Sequence, residues 1–151
     1  MARKRRFPKF HQGTYKPKNT HKYIGRGTPR YLSGWELRFF RWCDDNDNVI
    51  KWASENVIIP YVNPLDGKAH KYMVDNLVVI KEGKTLTKYL IEIKPKKQTR
   101  KPTTHGNKKK STILYENIEY VRNQAKWNSA REWCKKHGYK FQILTEDDLF
   151  R

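Results

Sequence analysis

Cysteine is scarce in this chain, with only Cys43 and Cys134 and no CxxC spacing. That excludes a disulfide framework and the paired-thiolate zinc sites, and predicts two reduced thiols packed as small apolar groups. Long apolar runs are missing too. No stretch approaches the roughly 18 residues of a membrane span, and the basic start is not followed by the apolar segment of a secretory signal, so a reducing, aqueous compartment is expected. The five histidines, His11, His21, His70, His105 and His137, are scattered without an HxxxH or HNH-like spacing. They read as incidental, with His11, His21 and His105 available to phosphate. No internal repeat is present.

Acidic residues are absent from two segments. Residues 1–32 hold ten Lys or Arg and no acid, and residues 94–110 hold eight more and no acid. Of the 33 basic residues this leaves fifteen for the rest of the chain, matched by all fifteen acids, so the net charge of +18 lies in those two segments. A neutral body with two cationic segments suits a phosphate backbone, where each Lys or Arg displaces a counterion. Candidate contacts are Arg3, Lys4, Arg5, Arg6 and Lys9 in the first segment, and Lys96, Lys97, Arg100, Lys101, Lys108, Lys109 and Lys110 in the second. The same charge could instead aid solubility or bind an acidic protein or membrane. Interleaved Phe7, Phe10, Tyr15 and Tyr23 favour nucleic acid, since aromatic rings stack on bases.

What the chain does have is a core. An aromatic content of 13% with five Trp in 151 residues argues for one packed domain. Residues 1–30, with Pro8, Pro17, Pro29, Gly13, Gly25 and Gly27 and no apolar periodicity, read as an extended arm. From Ser33, a plausible N-cap, Trp35, Phe39 and Trp42 follow at the spacing of a buried helical face ending near Asp45. Short β-rich runs at 49–53 and 57–61 precede a turn at 63–67. Residues 71–80 and 86–94 are the best strands, and together these segments predict an antiparallel meander. A basic loop over 95–111, a long helix over 113–136 closed by Gly138, a half-buried strand from Tyr139 to Ile143 and a short helix capped by Thr145 and Asp148 complete the order. Trp52 and Trp127 are assigned to the core.

If the hairpin turns about the Gly83–Lys84 bond, Asp75 stands directly opposite Glu92. Like charges so placed destabilise a sheet unless a cation lies between them, and a divalent metal would serve. Lys94 shares the face of Glu92, because side chains in a strand repeat with a period of two. A lysine there could position an attacking water, deprotonate it as the neutral amine, or steady a phosphate. The competing reading is that Asp75 and Glu92 merely pair with Lys71, Lys88 or Lys94 on an exposed face.

Val74-Asp75, sixteen residues, then Glu92-Ile93-Lys94 resembles the bipartite signature of the PD-(D/E)xK nuclease superfamily, with Val in place of the usual Pro. Further segments are Ser33-Gly34-Trp35-Glu36, Phe40-Arg41-Trp42-Cys43-Asp44, Val57-Ile58-Ile59-Pro60-Tyr61, Leu90-Ile91-Glu92-Ile93-Lys94-Pro95, Asn123-Gln124-Ala125-Lys126-Trp127 and Phe141-Gln142-Ile143-Leu144-Thr145-Glu146. In that order, over about residues 30–150, they resemble the head-completion nucleases of tailed bacteriophages, and more distantly the endonuclease subunit of heteromeric transposases.

The resemblance implies a restriction-endonuclease-like α/β fold: a mixed central β-sheet flanked by helices, with a basic N-terminal arm (1–30) before the nuclease domain (31–151). It implies Asp75, Glu92, the Ile93 carbonyl and Glu36 as Mg²⁺ ligands, with Mn²⁺ able to substitute, Lys94 as the catalytic lysine, and Gln124 contacting the site or DNA. Glu36 also fits a capping box with Ser33, and Gln124 a solvated helix face. The implied activity is a metal-dependent endonuclease acting on double-stranded DNA ends or junctions after genome packaging, leaving a 5′-phosphate and a 3′-hydroxyl. It would work in the infected bacterial cytoplasm or at the virion portal, with portal or other head-completion proteins as partners, no membrane, and a homo-oligomer open. The alternative is a non-catalytic DNA-binding protein that seals the portal; a transposase or repair nuclease would share the chemistry but not the partners.

Overall fold

In a computed structural model of the chain, residues 12–104 and 106–150 are described. The expectation of an extended arm over residues 1–30 needs correction from Gln12 onward. Strand β1 (Gly13–Thr14) pairs antiparallel with β2 (Arg30–Tyr31). The Tyr15 hydroxyl donates to Asp44 at 2.6 Å, and the backbone N–H groups of Lys18 and Asn19 donate to the same carboxylate at 2.7 and 3.0 Å. The buried Lys22 ammonium donates to the carbonyls of Asp44 and Asn46 at 3.0 and 2.9 Å. Tyr15 and Tyr23 lie 6.3 and 4.7 Å from the Trp52 ring, so they pack on the core and are not presented to bases. Arg3, Lys4, Arg5, Arg6, Phe7, Lys9, Phe10 and His11 lie outside the described residues.

Helix α1 (Gly34–Asp45) begins at the expected cap, where the Ser33 hydroxyl accepts the Glu36 N–H at 3.2 Å. Its buried face carries Leu37, Phe39, Phe40, Cys43 and Asp44, whereas Trp42, expected inside, is 43% exposed. The segment around Tyr15–Lys22 covers the Cys43–Asp44 side, rotating the buried stripe away from Trp42. Trp42 still stacks on Phe39, with ring centres 5.7 Å apart.

The next four strands form one bent hairpin, not a meander. Strands β3 (Val49–Ser54) and β4 (Ile58–Val62) run out; β5 (Ala69–Met73) and β6 (Asn76–Glu82) return. β3 pairs with β6 and β4 with β5, both antiparallel. Between the pairs Ser54↔Asn76 and Ile58↔Met73, three residues on the outgoing side face two on the return. That extra residue bends the ribbon as a bulge does. Glu55 takes a φ of 49°, unusual for a side-chain-bearing residue, and its N–H donates to the Asp75 carbonyl at 2.9 Å. The run at 71–80 reads as one strand because it is continuous in pattern and broken only by this bend.

Strand β7 (Thr85–Ile93) follows a two-residue turn in which Gly83, at φ 61°, takes the conformation glycine tolerates best. Helix α2 (Lys110–His137) ends at the left-handed Gly138 and leads into β8 (Lys140–Leu144), which lies parallel to β7. The short α3 (Glu146–Leu149) carries the expected Thr145–Asp148 capping box. The main sheet is thus mixed, in the order β3-β6-β7-β8. One face buries Val78, Ile91 and Ile93 with Phe39, Phe40 and Trp52; the other buries Leu77 and Leu90 with Trp127, Ala130 and the β4–β5 ribbon. Trp52 and Trp127 are both core, each such ring contributing about 1.5–3 kcal/mol or more from burial. Cys43 and Cys134 are buried free thiols.

Candidate active site

The β6–β7 register runs from Glu82↔Thr85 to Asn76↔Ile91, so the next pair beyond the strand end sets Asp75 opposite Glu92, as the sequence reading expects. Asp75 Oδ2 accepts the Ile93 N–H at 2.9 Å across that gap. Glu92 is only 5% exposed and faces the α2 layer, where its Oε2 accepts the Tyr72 hydroxyl at 2.5 Å. Among the described residues, neither carboxylate forms an ion pair with Lys71, Lys88 or Lys94, so the surface-pair alternative is not what the chain adopts.

Two half-buried or buried acids without a paired cation hold their protons strongly. Burial, and then the charge of Asp75, push Glu92 up to about 8, against the pull of the Tyr72 hydrogen bond and of Lys94. Burial also raises Asp75, opposed by the Ile93 N–H, Lys94 and Lys126. Lys94 leaves the end of β7 and is fixed by its N–H, which donates to the Leu144 carbonyl at 3.0 Å.

Glu36 lies at the start of helix α1. Its Oε2 accepts the Leu32 N–H at 2.5 Å, one residue before the position a strict capping box would use. Burial pushes it up to about 7; the Leu32 hydrogen bond and Lys94 oppose this, while Asp75 and Glu55 add to it. An acid that accepts a hydrogen bond just ahead of helix α1 thus also feels the charges of Asp75, Glu55 and Lys94.

Three neighbours escape sequence reasoning. Tyr72 arrives from the β4–β5 ribbon, and Glu55 from the bend. Lys126, on α2, lies over the rings of Tyr72 and Tyr61 at 5.6 and 5.9 Å. Burial lowers its proton affinity, the Lys94 charge lowers it further, and Glu92 raises it. Its helical spacing from Trp127 and Asn123 gives no hint of this, because the docking of α2 decides it. Gln124 is half-buried two residues away, a separation that turns it to another side of the helix, and among the described residues no hydrogen bond ties it to Asp75, Glu92 or Lys94.

In the second basic segment, a 3-10 turn (Lys96–Thr99) follows β7, and α2 begins at Lys110, inside the expected loop. Lys96 is engaged by Asp147 at 2.7 Å, and Lys108 by Glu116 at 2.9 Å. Lys97, Arg100, Lys101, Lys109 and Lys110 are exposed. Within the described residues, no helix is long and apolar enough to cross a membrane.

Among the described residues, no three His, Cys, Asp or Glu side chains form a ready metal cage. The donors on hand are Asp75 and Glu92, two hard oxygen ligands whose mutual repulsion a cation would relieve. That set fits Mg²⁺, which keeps several waters and needs only one or two carboxylates.

The mixed sheet with its hairpin-end acids lies within residues 46–146, which match the family described as TnsA-like endonuclease N terminal, and the chain belongs to that family. The match contains Asp75, Glu92, Lys94 and Gln124 and begins after Glu36. Membership implies the restriction-endonuclease-like fold expected above. The chain is also 39% identical over 145 residues to the head completion nuclease of Enterobacteria phage T4, covering 92% of this chain and 93% of that protein.

Proposed function

We propose that this chain is a Mg²⁺-dependent DNA endonuclease that processes DNA ends or junctions during phage head completion, in the infected bacterial cell and at the portal. The observation that carries the reading is the opposition of Asp75 and Glu92, both of raised proton affinity, beside Lys94 and Lys126. The DNA substrate is supported by the +18 charge and by the nuclease likeness.

Asp75, Glu92 and the Ile93 carbonyl would hold the metal, with Glu36 completing the set. When bound, the ion offsets phosphate charge and acidifies a water. Lys94 would orient the attacking water as an ammonium, or take its proton only in the neutral amine form, and Lys126 would face the charge that builds on the phosphate oxygens. Tyr72 holds the Glu92 carboxylate in one orientation, and Gln124 contacts DNA beyond the reacting bond. Hydrolysis leaves a 5′-phosphate and a 3′-hydroxyl. Lys97, Arg100, Lys101, Lys109 and Lys110, with the basic residues at 3–9, grip the backbone.

Cleavage of supercoiled and linear duplex DNA with Mg²⁺ tests this, comparing wild type with Asp75→Ala and Lys94→Ala and checking binding in Ca²⁺. Cutting lost in both variants with binding retained is expected. Intact DNA bound tightly by the wild type would leave a non-catalytic head protein that coats or seals.

A further inference from the structure

The second basic segment builds a groove as well as adding charge. Lys97, Arg100, Lys101 and Lys108 stand across a cleft of about 630 Å³ from one stripe of α2. That volume lies within the about 300–1,000 Å³ range of clefts that enclose small organic ligands. The α2 stripe contributes Tyr115, Glu116, Glu119, Tyr120 and Asn123, at the spacing of one helix face. Its two acids are already answered, Glu116 by Lys108 at 2.9 Å and Glu119 by Arg122 at 2.7 Å. Lys97, Arg100 and Lys101 have no ion-pair partner among the described residues, so the cleft presents positive charge.

Its aromatic wall is unused. Tyr115 is 65% exposed, and among the described residues neither Tyr115 nor Tyr120 stacks on another ring. Asn123, last of that stripe, lies one helical turn before Lys126, the α2 residue of the candidate active site.

We propose that this cleft seats unpaired nucleotides of the DNA substrate, so that the scissile bond lies beside a single-stranded segment and not within uninterrupted duplex. The inference rests on the nuclease reading above. Cations at the rim meet phosphates of any DNA, but tyrosine faces gain from a strand only where bases are unstacked and free to lie on them. A duplex keeps those faces inside.

The test is fluorescence anisotropy in Ca²⁺ with a labelled blunt duplex and the same duplex bearing a single-stranded tail. Wild type should prefer the tailed DNA. Tyr115→Ala combined with Tyr120→Ala should weaken tailed binding about tenfold and leave blunt binding unchanged, while Tyr115→Phe, which keeps the ring, retains the preference. A 2-aminopurine base in the tail should be quenched on wild-type binding, a readout that needs no variant. Equal wild-type affinity for the two DNAs, an unquenched tail, or an equal loss on both DNAs in the double variant would overturn the proposal. Wild type that cuts blunt duplex but ignores the tail sinks this inference alone; wild type that binds neither DNA takes the nuclease reading with it.

Discussion

The Tyr72 hydroxyl donates to Glu92 Oε2 at 2.5 Å, so the bent β4–β5 ribbon reaches back to hold an acid of the β6–β7 hairpin. This bond favours the charged carboxylate, the form a metal needs. Tyr72→Phe keeps the ring that packs beneath Lys126 and removes only the donor. Partners of this kind typically contribute about 10–100-fold in metal affinity or activity. The variant should therefore need more Mg²⁺ for half-maximal cleavage, by a factor in that range, while its circular dichroism stays that of wild type. An unchanged Mg²⁺ titration would reduce Tyr72 to packing.

Glu92 also sets a pH dependence. It ionises near 4.5 in the unfolded chain and at about 8 when folded. Between those values the folded state keeps a proton that the unfolded state has released, so metal-free stability falls as pH rises through the window. Glu92→Gln imitates the protonated acid and should lose that dependence. Thermal melts without metal should show the wild type dropping below Glu92→Gln as pH approaches about 8, and Mg²⁺ should restore the wild type only. Parallel melting curves for the two proteins at every pH would refute the assignment.

Lys126 faces the same site from α2, and its role in binding can be read from salt. Lys126→Ala, if the ammonium meets a phosphate, reduces the slope of log binding constant against log salt by about one. Cleavage should fall more than binding, because Lys126 stands beside Lys94 and Glu92 as well. A lost salt slope with full cleavage would make it a remote DNA contact.

Asp44 collects the Tyr15 hydroxyl and two backbone N–H groups from the N-terminal segment. Asp44→Ala leaves those donors without their acceptor and should cost about 2–4 kcal/mol. The melting temperature would then fall by roughly 5–15 °C. These bonds hold the Asp44 carboxyl below its ordinary 3.8, although burial opposes them. Its stabilisation is therefore complete at neutral pH and is lost as pH falls through the folded value. Specific activity of the folded variant should be unaffected, since Asp44 lies in the last turn of α1 and Glu36 in the first.

How legible this was differs from residue to residue. The Asp75–Glu92 pairing could be counted from Gly83 and Lys84, because a two-residue turn fixes register and a strand alternates with period two. The caps at Ser33, Gly138 and Thr145 were equally local. Tyr72, Glu55 and Lys126 were hidden, since a bulge and the seating of a helix on a sheet leave no periodicity in the chain. The segment after Gln12 was hidden for a related reason: its anchors are polar bonds to Asp44 and ring packing on Trp52, distant in sequence.

Glu36 is where local and long-range roles coincide, and one substitution separates them. Glu36→Gln keeps an oxygen to accept the Leu32 N–H and leaves the Ser33 cap untouched, so melting should shift by less than about 1 kcal/mol. What it removes is a negative charge close to Asp75 and Lys94. If Glu36 is a metal ligand, a neutral amide cannot replace it without loss, and cleavage should fall about 100-fold or more, partly recovered at high Mg²⁺. Glu36→Ala should show the same catalytic loss plus a destabilisation of about 1 kcal/mol from the lost hydrogen bond to the Leu32 N–H. Should Glu36→Gln cut at the wild-type rate while Glu36→Ala melts early, Glu36 serves the helix end alone, and Asp75 and Glu92 must hold the ion without it.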